Sequence, residues 1–209
     1  MCRGLIFLIK PFDVPKYEKK MNKNFILASQ SPQRKALLAQ IGFCPRDIEP
    51  ADIDETPRKR EQPSQYVKRM ALEKAQCVAN RHKGRVVLAS DTVIVLGRRI
   101  IQKAKSDEEQ KAVMTALSGR SHRVLTGVCV IDGKGRVAVK LNVNKIKMKR
   151  LSAQEIDEYV NSHEWQGCAG YRIEGMMGGF VEQIIGSYSG VVGLPLYEAR
   201  NMLIGAGVC

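Results

Sequence analysis

One strand-like run constrains this chain more than any other part of it. Residues 86–89 read VVLA and residues 92–96 read TVIVL, so apolar side chains follow one another instead of alternating with polar ones. A strand solvated on one face alternates, whereas a strand covered on both faces does not. The run therefore belongs in the interior of a sheet. A single carboxylate, Asp91, lies inside it. Burying a carboxylate is costly unless it meets a cation, a metal or several N–H groups. Asp91 thus either anchors a turn through hydrogen bonds or serves a functional site.

The flanking segments supply the rest of an α/β pattern. Residues 25–28 read as a short strand ending at Ser29. Ser31 then caps a helix with Pro32 at its first position; Leu37, Leu38 and Ile41 form its apolar stripe and Gly42 stops it. Residues 50–64 form a polar loop with Pro50, Pro57 and Pro63, and it carries Asp52, Asp54 and Glu55. The spacing of Val67, Met70, Ala71, Ala75 and Val78 predicts a helix over 64–80. Ser106 with Glu109, and Ser152 with Glu155, make two capping boxes, opening helices at 107–117 and after 152. The second buries Ile156, Tyr159 and Val160. Residues 124–131 and 137–148 read as strands joined by a hairpin turn at 132–135. A Gly-rich stretch at 167–179, a strand at 180–185 and a helix at 195–203 complete the chain. Alternation followed by a hairpin predicts an α/β fold with a mixed sheet.

The chain has 209 residues, enough for one large domain or two small lobes on a shared core. Its formal charge of +13 concentrates anions of any kind, and the basic residues are spread without a run that would mark a nucleic-acid-binding tail. Six cysteines form no C-x-x-C pair, which points to reduced thiols in a cytoplasmic protein and away from a zinc ribbon or disulfide framework. The apolar residues 4–9 are too few for a signal-peptide core or a span of about 20 residues. Residues 1–21 read as an N-terminal extension and 22–209 as a single domain.

Several positions could carry chemistry. A helix N-terminus at Ser31–Gln33, with Ser29 before it and Arg34 and Lys35 in the first turn, is a ready anion site, although any capped helix shares this geometry. Lys74 falls inside the apolar arc of its helix, where a lysine either snorkels past the core or points into a site. Asp54 and Glu55 suit a hard divalent cation or are simply solvated. Residues 133–138 mimic a dinucleotide fingerprint but lie in a hairpin; residues 186–190 are not a nucleophile elbow; and there is no P-loop.

Taken in order, six blocks resemble the Maf family of nucleotide pyrophosphatases: ILASQSPQRKALLAQIGF, DIDETP, YVKRMALEKAQ, LASDTVIVLG, ALSGRSHRVLTGV, and a C-terminal block of EWQGCAGYRIEG and IGSYSGVVGLPLYEA. The resemblance covers residues 24–204. It implies an elongated mixed sheet flanked by helices with a central cleft, and kinship with inosine-triphosphate pyrophosphatases. It implies hydrolysis of a nucleoside triphosphate to a monophosphate and pyrophosphate, a divalent metal (Mg²⁺ or Mn²⁺), a frequent homodimer, and a house-cleaning or cell-division-arrest role. By matched position it implies Asp91, Glu55 and Lys74 for catalysis, Glu55 and Asp91 for metal, and Ser29, Arg34 and Lys103 for phosphate. Gln33, Thr92 and Glu174 are implied for the base. The chain departs from the family at Gln33, where an arginine is usual, at Ala104, where a proline is usual, and at Glu174. Asp91-Thr92 resembles the dTTP/UTP branch, where Gln is usual in place of Glu174. Glu174 resembles the 7-methyl-GTP branch. The substrate expectation is therefore dTTP/UTP or a modified nucleotide, with 7-methyl-GTP as the alternative. The resemblance implies neither a stable nucleic-acid partner nor a membrane. A non-catalytic nucleic-acid- or protein-binding regulator is the rival from another class; it predicts salt-sensitive binding without hydrolysis.

Overall fold

The computed structural model describes residues 21–208. Seven strands form one mixed sheet: β1 (Met21–Leu27), β2 (Cys44–Ile48), β3 (Val86–Leu96), β4 (Arg99–Ile101), β5 (Ser121–Ile131), β6 (Val137–Met148) and β7 (Val181–Ile185). The order is β2-β1-β3-β5-β6-β7, with β4 also on β3. β1 pairs parallel with β2 and β3, whereas β3, β5, β6 and β7 run antiparallel in succession. The VVLASDTVIVL run is thus an interior strand, and the α/β class with a mixed sheet is the one observed. Of residues 1–21, read as an extension, 1–20 lie outside the described residues, and Met21 belongs to β1.

The two faces of the sheet are covered differently, and this creates the site. Along one face lies α2 (Pro63–Arg81), 19 residues and roughly 28 Å long. Ala71, Ala75 and Val78 meet Val87, Ala89 and Cys129, while Tyr66, Val67 and Met70 meet Val93, Val95 and Leu125. The helix lies unusually close to β5 at Gly127, where an added Cβ would sit 2.2 Å from the Val67 carbonyl oxygen. Only glycine admits that approach. On the other face α1 (Pro32–Gln40) and α6 (Leu196–Gly205) cover Val86, Leu88, Val128 and Val130. The far end of that face is covered by α3 (Asp107–Leu117), α4 (Ala153–Asn161) and the segment containing Trp165, Tyr171 and Ile173. Between these two groups runs a polar seam of Ser90, Thr92 and Thr126. Ser90 and Thr126 donate to the carbonyls of Gly193 and Gly190, each at 2.8 Å, around the short helix α5 (Tyr188–Val192).

Local signals act as expected at most helix ends. Ser31 accepts from the Arg34 N–H, and the Ser152–Glu155 box is complete. At Ser106 only half the expected box forms, because the Glu109 carboxylate takes the Lys105 N–H instead. The strand expected at 180–185 begins at Val181, since Phe180 closes a 3₁₀ turn, Met176–Phe180. Strands β2 and β4 and helix α5 were not expected. They are short and carry Pro45, Arg46, Arg99 or glycine, so local pattern does not mark them.

Candidate active site

The ladder between β1 and β3 ends at Leu27–Leu88, and that between β3 and β4 begins at Ile94–Ile101. Between these points residues 89–93 pair with β5 alone. An interrupted ladder leaves backbone N–H and C=O groups facing the opening. Side chains from both faces of the sheet can reach this gap, and a cleft of about 1060 Å³ forms there. Ser29, Gln33, Arg34, Glu55, Lys74, Asp91, Thr92, Lys103 and Glu174 all line it, whereas Lys35, Asp52 and Asp54, also singled out from the sequence, do not.

At its centre Lys74 joins two carboxylates. Its Nζ lies 2.6 Å from Asp91 Oδ1 and 2.9 Å from Glu55 Oε1. The Lys74 and Asp91 side chains are 12% and 10% exposed, and that of Glu55 is 47% exposed. Lys74 therefore points into a site and does not snorkel to solvent. This answers the cost of burying either charge alone. Among the described residues no three acidic, histidine or cysteine side chains gather into a metal cage.

Arg34 approaches from the opposite face. Its Nε donates to the Gly193 carbonyl at 3.0 Å and its Nη1 to Ser29 Oγ at 3.0 Å. Burial lowers the pKa of this guanidinium, and the charges of Asp91 and Glu55 offset part of that effect. Arginine still carries its charge at neutral pH. Gly193 adopts φ +130°, a conformation costly for other residues, and this turns its carbonyl toward both Arg34 and Ser90. At the rim, Lys103 is exposed and Glu174 lies 3.9 Å from Arg172 Nε. Gln33 accepts from Ser31 Oγ, and Thr92 shares a 3.0 Å hydrogen bond with Thr126.

Sequence reasoning missed the groups that hold these side chains in place. Tyr66 donates its hydroxyl to the Glu55 carbonyl at 2.8 Å. Burial, then Asp91 and Glu55, push the phenol up to about 12, so it stays a donor. Arg69 grips both oxygens of Glu61 at 2.7 Å and also reaches the Thr56 carbonyl at 3.2 Å. Its hydrogen bond holds the Glu61 carboxyl down to about 2. One helix thus carries Tyr66, Arg69 and Lys74, and it straps the acidic loop against its own lysine. The available signal was the i, i+3, i+8 spacing beside an acidic loop, which does not say what the loop docks on.

A family model described as Maf-like protein matches residues 24–206 of the chain. The chain belongs to the Maf-like family. This Maf-like protein is 51% identical over 183 residues to a protein of Caulobacter vibrioides named dTTP/UTP pyrophosphatase, covering 87% of this chain and 95% of the relative. It is 50% identical over 188 residues to a Zymomonas mobilis protein of the same name, covering 90% and 93%. Among solved structures, a HAM1 protein from Coxiella burnetii aligns with TM-score 0.50 and 19% identity, over 88% of this chain and 100% of that one. That likeness is one of fold. The Maf-like protein has no helix among its described residues long and apolar enough to cross a membrane.

Proposed function

We propose that this Maf-like protein hydrolyses nucleoside triphosphates between the α- and β-phosphates, with dTTP and UTP as its first substrates. The observation that carries the reading is the gap in the β3 ladder. There two carboxylates and two half-buried cations from opposite faces of the sheet meet in one cleft, with further lysines at the rim. The names of the Caulobacter and Zymomonas relatives support the same reaction and the pyrimidine substrates.

In this mechanism Arg34, Lys74 and Lys103 hold the phosphates and stabilise charge on the departing pyrophosphate. Ser29 and the first N–H groups of α1 add donors. Asp91 orients a water and accepts its proton as the water oxygen bonds to the α-phosphorus. The bond from that phosphorus to the bridging oxygen breaks, and pyrophosphate leaves with the electron pair. Glu55 and Asp91 are the residues that would hold Mg²⁺ or Mn²⁺. Two carboxylates would suit such a cation, a hard ion that prefers oxygen ligands. A cation there supplies neutralisation of phosphate charge and a lower pKa for bound water. Gln33, Thr92 and Glu174 face the nucleoside end. The reading places the reaction in the cytoplasm and includes a homodimer, which light scattering on the purified protein checks.

The test is pyrophosphate release from a panel of triphosphates with Mg²⁺ or Mn²⁺. Wild type should prefer dTTP and UTP, and Asp91→Asn should lose about 10²-fold or more in kcat. Near-normal turnover by that variant removes Asp91 from the reaction. Glu174 only accepts hydrogen bonds while ionised, which is why 7-methyl-GTP belongs in the panel; a preference for it would reverse the substrate assignment.

A further inference from the structure

Lys74 touches the same two carboxylates that the proposed function gives to a metal ion. Its contacts are short, and its own side chain and that of Asp91 are largely closed to water, while Glu55 stays half-exposed. Arg34 is close enough for Asp91 and Glu55 to act on its ionisation. Lys74 thus pairs with both carboxylates without any added ion, and Arg34 is a second cation facing the same cleft. A bare divalent cation entering there meets the Lys74 ammonium already seated and the Arg34 guanidinium beside the same cleft. In a partly desolvated place like charges repel far more strongly than in water. A cation that arrives on a triphosphate brings net negative charge, and its phosphate oxygens give Lys74 new acceptors. An ammonium has three donors and can be handed from carboxylate to phosphate by rotation of a flexible side chain.

We infer that Lys74 occupies the cation seat of the substrate-free protein, so that the metal enters together with the triphosphate and not before it. The inference rests on the pyrophosphatase reading, and it assigns Lys74 a second task beyond contacting phosphate: it suppresses metal binding in the absence of substrate. Removing its charge should leave two uncompensated carboxylates that bind a divalent cation more tightly.

The experiment titrates Mn²⁺ alone, followed by electron paramagnetic resonance, into wild type, Lys74→Gln and the double variant Lys74→Gln/Asp91→Asn. Lys74→Gln should bind Mn²⁺ at least tenfold more tightly than wild type, and the double variant should lose that gain. Mn²⁺ should also raise the Tm of Lys74→Gln more than that of wild type, an effect that a merely structural lysine would not produce. Equal or weaker Mn²⁺ affinity in Lys74→Gln overturns the inference. So does wild-type protein that binds Mn²⁺ alone as tightly as it does with α,β-methylene-UTP. Should Lys74→Gln be unfolded without metal, refolding on millimolar Mn²⁺ supports the inference, and failure to refold overturns it. Pyrophosphate release by wild type from dTTP and UTP is measured in parallel. Its absence removes the proposed activity, while the Mn²⁺ titration is decided on its own outcome.

Discussion

His122 shows how one buried side chain ties stability to the cleft. It is 2% exposed on β5, and its Nε2 lies 2.6 Å from the hydroxyl of Tyr171, which lines the cleft. Nδ1 is buried without a hydrogen-bond partner, and burial pushes the imidazole down from 6.5 to about 4. Because the folded-state pKa is the lower one, the unfolded chain takes up the proton first as pH falls. Stability is full above pH 6.5 and drains away between 6.5 and 4, by up to about 3 kcal/mol. Glu61 acts in the same direction at lower pH, since its stabilisation is present above 4.5 and is lost as pH falls toward 2. Urea midpoints measured across this range should drop with acid, and His122→Gln should flatten the slope in the upper part of the window. An unchanged slope in that variant would mean that His122 is not the titrating group.

The decisive element is α2, because it supplies Lys74 and straps the loop that carries Glu55. Its distance from the sheet is set at Gly127, the residue paired across the ladder with Asp91. Gly127→Ala forces a methyl group against the Val67 carbonyl, which is backbone and cannot swing aside. The expected cost is about 3 kcal/mol or more. The displaced helix should also spoil the Lys74–Asp91 contact and lower kcat roughly tenfold. Calorimetry and turnover on the same preparation check both, and wild-type values for the pair would contradict the close approach. The apolar stripe of α2 was legible because it repeats every three or four residues. Gly127 was not, since a lone glycine in a strand signals a bulge or a close approach without saying to what. The segment across the cleft is likewise pinned from afar. Gln110 Nε2 donates to the Gly170 carbonyl at 2.7 Å, and the Tyr159 hydroxyl accepts from the Arg172 N–H at 3.1 Å. Neither contact leaves a mark on local pattern.

At the scale of the whole molecule, the chain carries a formal charge of +13, and its cleft is proposed to take a polyanion. The long-range field should draw triphosphate inward, and salt should screen it. Raising ionic strength from about 0.05 to about 0.3 M should lower kcat/KM roughly threefold or more while kcat changes less. Steady-state kinetics in an inert salt measure this. A flat response would mean that only the charges lining the cleft matter.

What the amino-acid sequence determined by itself is whatever depends on neighbours along the chain. The non-alternating apolar run marked an interior strand, the 3.6-residue period marked α2, and the mixed order of elements marked the α/β class. It also exposed Lys74 and Asp91 as charges in apolar surroundings, because the cost of burying a charge is legible wherever the surroundings are. It did not show that these two charges answer each other, nor that Arg34 is held by Gly193, 159 positions away. The change of partner on β3 from β1 to β4, which opens the cleft, is also a product of the assembled sheet. Such contacts join residues whose separation along the chain carries no information about their separation in space, so only the packed structure could decide them.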